Sequence, residues 1–132
     1  MERAKKRGGL IIQVANGGLG DHLLYSSLPE LLWKQKGIKT FISNKSVFRN
    51  QAIFDFVWKL NPYVEFTDEK GWFVYKPSLD GFFTVDEYLH RLFGLEANGY
   101  PKVYYEPNLI EELKGKTIVD PSCGAAGKAN GY

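Results

Sequence analysis

The sequence predicts an α/β fold in which a mostly parallel sheet carries helices on both faces. Residues 10–15 form an apolar, β-branched run that is typical of a strand covered on both sides. A segment with leucines at helical spacing follows, and residues 39–43 form a second strand-like run. A strand, a helix and a strand in this order favour a right-handed crossover between parallel strands. Strand-like and helix-like segments continue to alternate up to residue 120.

The first helix is predicted over residues 22–36. Its apolar residues recur at helical spacing, at Leu24, Leu28, Leu31 and Leu32. Asp21 is a suitable N-cap, and Gly37 is a suitable C-terminal stop. Because Pro29 lies inside this segment, we expect either a kink or a late helix start there.

The second helix is predicted over residues 50–60, with Ile53, Val57 and Leu60 on one face. A short strand is expected at residues 64–66, and residues 72–75 form either a strand or an ordered loop. The later predictions are a helix from the capping-box pair Thr84 and Glu87 to Gly94, strands at 102–105 and 116–120, and a brief helix from Asn108 to Lys114.

Composition and charge exclude several function classes. The chain has 132 residues, of which 44% are hydrophobic, and this suits one domain with a real core. A formal net charge of only +2 gives no electrostatic basis for wholesale nucleic-acid binding. The single cysteine, Cys123, rules out an intramolecular disulfide and a cysteine-based zinc cluster. No apolar run reaches the roughly 18 residues of a membrane span. We therefore expect a cytoplasmic protein without a membrane span, a nucleic-acid partner, a bound metal or a cofactor.

The glycine-rich stretch between the first strand and the first helix is the strongest candidate site. Glycines let a backbone approach a ligand closely, and ligands of parallel sheets bind beyond the carboxyl ends of the strands. We expect substrate contacts from Asn16, Gly17, Gly18, Leu19, Gly20 and His22, and chemistry from Asp21. The alternatives are a tight turn that needs glycines at positive φ, an Asp21 that only caps the helix, and a solvent-facing or capping His22. The spacing is not that of the dinucleotide-binding fingerprint.

The glycine-rich stretch, followed by Leu23, Leu24 and Pro29, resembles the opening of GT-B glycosyltransferases. It is most similar to the heptosyltransferase-like group, glycosyltransferase family nine. The resemblance implies a Rossmann-like, acceptor-side N-terminal domain over residues 1–115. It also implies that residues 116–132 begin a second domain, because residues 118–122 look like that domain's first strand; a flexible tail is the alternative. Asp21 would then be the general base that takes a proton from the acceptor hydroxyl.

The resemblance implies a nucleotide-sugar donor and a hydroxyl acceptor as partners, together with a C-terminal domain or a second copy of the chain. The residues themselves leave two other hypotheses open. One is a stand-alone module that binds a sugar phosphate or a nucleotide without catalysis. The other is an interaction protein that docks a partner through the aromatic segment 72–83, a segment that could equally stack on a sugar.

Overall fold

The computed structural model describes residues 8–74, 91–96 and 100–119. Its centre is a four-stranded sheet in the order β3-β2-β1-β4, and all three strand pairs are parallel. The strands are β1 (Gly9–Val14), β2 (Lys39–Ser43), β3 (Val64–Thr67) and β4 (Trp72–Val74). The α/β class and the parallel sheet are thus confirmed. In the part of the chain that the structure describes, no helix is long and apolar enough to cross a membrane.

The two faces of the sheet differ in what covers them. Even-numbered strand residues such as Ile12 and Ile42 are buried in one core with the helices. On the opposite face, Ile11 and Phe41 are neighbours in register and stay partly exposed. They line an open groove of about 290 Å³ together with Gly9, Thr67 and Glu69. Within the described ranges, helices therefore cover one face of the sheet, and the expected helices on the second face are not seen there.

The first predicted helix is divided into two. Helix α1 (Leu19–Leu23) is followed by a turn, and helix α2 (Leu28–Lys36) begins after it. Pro29 lies in the first turn of α2, where its missing N–H leaves no intrahelical bond unmade. The expected late start at Pro29 is confirmed. The expected stop is confirmed as well, because Gly37 ends α2 with a left-handed φ of 64°.

The second predicted helix changes its winding midway. Asn50 caps helix α3 (Gln51–Phe54), with its side-chain oxygen accepting the Ile53 N–H at 3.1 Å. A π-helical segment, Asp55–Lys59, continues it. Wider winding rotates the later residues around the axis, so Val57 and Trp58 are buried while Leu60 is 51% exposed. The predicted shared face of Ile53, Val57 and Leu60 is therefore wrong at Leu60.

Only four residues, 68–71, connect β3 to β4, although β2 and β1 lie between these strands. The Ser43 hydroxyl donates to the Glu69 carbonyl at 2.6 Å, and the Gly71 N–H donates to Gln13 Oε1 at 3.0 Å. Both side chains belong to odd-numbered strand residues, so the connection crosses the less covered face of the sheet. A Cβ on Gly71 would lie 2.7 Å from the Ile11 carbonyl oxygen, and glycine is therefore the residue that fits.

Two predicted strands near the end of the chain are wrong. Residues 102–105 are irregular because contacts with the helices hold them: the Tyr104 hydroxyl donates to Glu30 at 2.6 Å, and the Tyr105 and Phe56 rings are 5.4 Å apart. Residues 116–119 are exposed and pair with no strand in the described ranges, and residue 120 of the predicted strand lies outside them. The short helix is a 3₁₀ turn, Glu111–Leu113, whose N-cap is Ile110 rather than Asn108.

Other predictions fall partly or wholly outside the described residues. The helix from Thr84 is described only near its end, where residues 91–92 are helical and Gly94 has a φ of 69°. Side chains of the aromatic segment 72–83 and residues 120–132, with Cys123, lie outside as well.

Candidate functional site

The candidate site is the edge of the sheet where the carboxyl ends of β1 and β2 lead into two loops. The loop after β1 holds the glycines, and the loop after β2 spans residues 44–50. Backbone bonds join the two loops: Val47 N–H to Val14 O and Arg49 N–H to Gly17 O, both at 2.9 Å. The Ser46 hydroxyl accepts the Val14 N–H at 3.0 Å. The glycine-rich loop is therefore fixed by hydrogen bonds to the loop after β2.

The three glycines of this stretch, two before α1 and one inside it, have different surroundings. None of them has a positive φ, so the alternative of a turn that needs left-handed glycines is wrong. A Cβ on Gly17 would lie 2.9 Å from Arg49 N, and a Cβ on Gly18 would lie 2.8 Å from Asp21 Oδ2. Gly17 is thus required by close packing against backbone, whereas a side chain at position 18 would displace the Asp21 carboxylate. Gly20 differs, because nothing lies within 4 Å of the position that its Cβ would take.

Asp21 lies in the first turn of α1, but it is not the N-cap as predicted. Gly18 is the N-cap, and its N–H donates to Asp21 Oδ2 at 3.0 Å. Among the described residues, Oδ1 has no hydrogen-bond partner, and the side chain is half-buried. The carboxylate is consequently fixed through one oxygen and keeps acceptor capacity on the other. Because α1 has only five residues, its dipole adds little to this site.

His22 is fully buried, at 0% exposure, so a solvent-facing or capping His22 is wrong. Its Nδ1 accepts the Trp58 indole N–H at 2.9 Å, and its Nε2 lies 2.7 Å from the Val47 carbonyl oxygen. This pairing needs a neutral ring with the proton on Nε2. The ring also stacks on Phe48, with centroids 4.3 Å apart. Both ring nitrogens therefore have hydrogen-bond partners within the protein. His22 packs under the loop after β2 from the protein interior.

Burial lowers the pKa of His22 below its usual range. The hydrogen bond to the Val47 carbonyl and the nearby Asp21 carboxylate both act in the opposite direction, but burial is the larger effect. The neutral ring that the hydrogen bonds require is thus also the form that its surroundings favour.

The remaining predicted residues lie at the surface of the same edge. Asn16, Leu19 and Gly20 are exposed, and Leu19 keeps 43% of its surface in solvent. The structure therefore brings Asn16, Gly18, Gly20 and Asp21 to one accessible region. In the sheet order, β2 and β3 lie on one side of β1 and β4 on the other, and such reversals are where parallel sheets bind ligands.

Arg49 is a residue of this edge that sequence reasoning missed. Its guanidinium Nη2 lies 3.8 Å from the position that a Cβ on Gly18 would take. A signal was available, since Arg49 follows the second strand and neighbouring parallel strands end at the same edge. Within the described part of the chain, no three His, Cys, Asp or Glu side chains form a group that could hold a metal ion.

The residues of this edge were compared with known proteins through the whole chain. Comparisons with models of protein families, with curated proteins and with solved structures find no match.

Proposed function

We propose that the edge formed by residues 16–21 binds a sugar through its hydroxyl groups, as the acceptor-side, Rossmann-like domain of a GT-B glycosyltransferase. One observation carries the proposal. The Asp21 carboxylate is positioned by the Gly18 N–H through one oxygen, and its other oxygen has no partner in the described structure. A carboxylate held in this way is suited to accept a hydrogen bond from a ligand hydroxyl.

The strand order supports the Rossmann-like assignment. The sequence β3-β2-β1-β4, with every pair parallel, agrees with the first four positions of the order found in doubly wound nucleotide-binding folds. The four-residue connection from β3 to β4 departs from those folds, in which a crossover helix joins parallel strands. In those folds the ligand lies over the carboxyl ends of the strands where the order reverses. Asp21 and the glycine-rich loop follow β1, which is the strand next to that reversal.

The proposed chemistry is transfer of a glycosyl group to a hydroxyl oxygen. Asp21 orients the acceptor hydroxyl and takes its proton while the oxygen attacks the anomeric carbon of the donor. The bond from that carbon to the nucleoside diphosphate breaks, and the diphosphate leaves with the electron pair. The described residues supply the acceptor side of this reaction, and the donor side belongs to a second domain in the GT-B arrangement.

A stand-alone binding module for a sugar phosphate or a nucleotide remains the alternative. It uses the same edge and needs no proton acceptor. The observation that favours it is Arg49, a cation beside Gly18 that forms no ion pair with a described residue. The two functions differ in whether binding depends on the charge of Asp21.

The test is Asp21→Asn, because asparagine keeps an oxygen that can accept the Gly18 N–H while the charge is lost. The matched control is Asp55→Asn, on the π-helical segment. Binding of glucose, mannose and their 6-phosphates is followed by backbone amide chemical shifts. We expect saturable shifts at Gly17, Gly18 and Gly20, and about tenfold weaker binding in Asp21→Asn than in the control.

The outcomes separate the two functions. Binding that Asp21→Asn leaves unchanged contradicts the acceptor role and favours the binding module. Absence of any saturable shift with all four probes contradicts the proposed sugar site and the sugar-phosphate form of the binding module; the same titration with a nucleoside diphosphate tests the nucleotide form.

A further inference from the structure

We infer that Arg49 recognises a phosphate group, so that the ligand of this edge is a phosphorylated sugar. The inference rests on the proposed sugar site, whether that site serves glycosyl transfer or binding alone, and it adds a phosphate group to the ligand. It follows from how the backbone of Arg49 is fixed and from what surrounds its side chain.

The backbone of Arg49 is tied to the glycine-rich loop. Its N–H donates to the Gly17 carbonyl at 2.9 Å, and the absence of a Cβ on Gly17 permits that approach. Two residues earlier, the Val47 N–H donates to Val14 O at 2.9 Å and the Val47 carbonyl lies 2.7 Å from His22 Nε2. The Arg49 side chain thus leaves a segment that is bonded to both the sheet and α1, and its starting point is fixed relative to Asp21.

The guanidinium and the Asp21 carboxylate flank Gly18. Measured from the position that a Cβ on Gly18 would take, Nη2 of Arg49 is 3.8 Å away and Oδ2 of Asp21 is 2.8 Å away. Within the described ranges, the two groups form no ion pair with each other, and Arg49 forms none with another acid. A positive and a negative group therefore stand close together without neutralising one another directly.

A guanidinium that is not engaged by a carboxylate suits a phosphate particularly well. Its planar fork of N–H donors matches two oxygens of a phosphate, and charge-assisted bonds of this kind are stronger than neutral ones. The Arg49 side chain is exposed, so a ligand can reach it without rearrangement of the core.

The nearby carboxylate determines what else the ligand must carry. Asp21 repels a bare phosphate placed beside Gly18, because two negative charges so close to one another are unfavourable. A ligand with a hydroxyl at one point and a phosphate at another satisfies both groups, with the hydroxyl donating to Asp21 and the phosphate accepting from Arg49. A sugar phosphate has this pattern, and free phosphate or free sugar has only half of it.

The experiment compares glucose 6-phosphate, glucose and inorganic phosphate as probes of the wild-type chain, Arg49→Gln and Arg49→Lys. The matched control is Lys59→Gln, which removes one exposed positive charge from the π-helical segment. Dissociation constants come from amide chemical shifts of the glycine-rich loop at constant ionic strength.

We expect the wild-type chain to bind glucose 6-phosphate at least tenfold more tightly than glucose or inorganic phosphate. Arg49→Gln should reduce that preference to within twofold without changing the affinity for glucose, and Arg49→Lys should retain part of it because the charge stays while the fork is lost. Lys59→Gln should behave as wild type.

Each other result contradicts a specific statement. A preference for the phosphorylated sugar that persists in Arg49→Gln, or is lost equally in Lys59→Gln, overturns the role of Arg49 while leaving the sugar site intact. Equal wild-type binding of glucose and glucose 6-phosphate overturns the phosphate class. Absence of binding by all three probes overturns this inference together with the proposed function.

Discussion

Gly18 and Gly20 are two residues apart, but their surroundings are opposite. A Cβ on Gly18 would collide with the Asp21 carboxylate, whereas a Cβ on Gly20 would meet open space. A glycine inside a helix costs stability relative to alanine, and Gly20 has no packing reason for that cost. The open space beside Gly20 leaves room for the ligand of the proposed sugar site.

Gly18→Ala and Gly20→Ala therefore form a matched pair. Gly18→Ala should displace the Asp21 carboxylate from the Gly18 N–H and lower the free energy of unfolding by about 1 kcal/mol. Gly20→Ala should raise it by about 0.5–1 kcal/mol. Urea unfolding of both variants measures these changes, and equal effects in the same direction would contradict the distinction between the two positions.

The hydrogen bond between Trp58 and His22 makes a second prediction at this scale. Trp58→Phe removes the only donor to His22 Nδ1 in the described structure, and both side chains are fully buried. We expect a loss of about 1–3 kcal/mol from the unpaired nitrogen, in addition to the cost of the smaller ring. A double-mutant cycle with His22→Leu isolates the bond, and a coupling energy near zero would show that it contributes nothing. Trp33→Phe is the control, since Trp33 is half exposed.

At the scale of elements, the π-helical segment is the feature that the sequence pattern concealed. Ile53 and Leu60 are seven residues apart and share a face in a regular α-helix. The wider winding of Asp55–Lys59 places Leu60 in solvent and lets Trp58 reach the core. This displacement also brings the indole to His22, so the irregular winding is tied to the architecture of the site.

Alanine substitutions test this change of face. Ile53→Ala should cost about 2–5 kcal/mol because it removes buried methyl groups. Leu60→Ala should change the free energy of unfolding by less than about 0.5 kcal/mol because that side chain is exposed. Thermal or urea unfolding measures both, and comparable losses would mean that the segment winds as an ordinary α-helix.

Sequence reasoning succeeded where a local signal determines the structure. Pro29 and Gly37 fix where α2 begins and ends, and the apolar run of β1 identifies its strand. It failed at residues 102–105, where β-favouring residues are held by contacts with distant side chains such as Glu30. It also failed to predict that His22 is buried and hydrogen-bonded to Trp58, because the two residues are 36 positions apart and no local pattern connects them.

The stability of the whole molecule should depend on pH through His22. Its pKa in the folded protein lies below the value of an unfolded chain, which is about 6.5. The unfolded state therefore takes up the proton first as the pH falls. Stability should be fully present above about pH 6.5 and decrease below it, with a slope of at most about 1.4 kcal/mol per pH unit, until the folded protein also binds the proton.

Urea unfolding of the wild-type chain and of His22→Gln between about pH 4.5 and 8.5, a range of roughly two units on either side of the unfolded pKa, measures this dependence. The difference between the two proteins isolates His22 from other titrating groups. Asp21 is the charged group that acts on His22, and its attraction for the protonated ring reduces the effect without reversing it. A difference that does not vary with pH would contradict the buried neutral ring.

The candidate site as a whole was only half predictable. The sequence places Asn16, Gly18, Gly20 and Asp21 together because they are neighbours along the chain. Arg49 joins them only because β1 and β2 are parallel and end at the same edge. That contact comes from tertiary structure, and short sequence motifs do not predict it.

The position of β1 inside the sheet has a consequence for biosynthesis. β1 is the first strand of the described sheet to be made, and its neighbour on one side, β4, is the last strand of the described sheet to leave the ribosome. Until residues 72–74 emerge, that edge of an apolar strand has unpaired backbone groups, which are a template for pairing with other chains. Nascent chains whose last emerged residue lies between residues 45 and 70 should therefore be those that most need a chaperone.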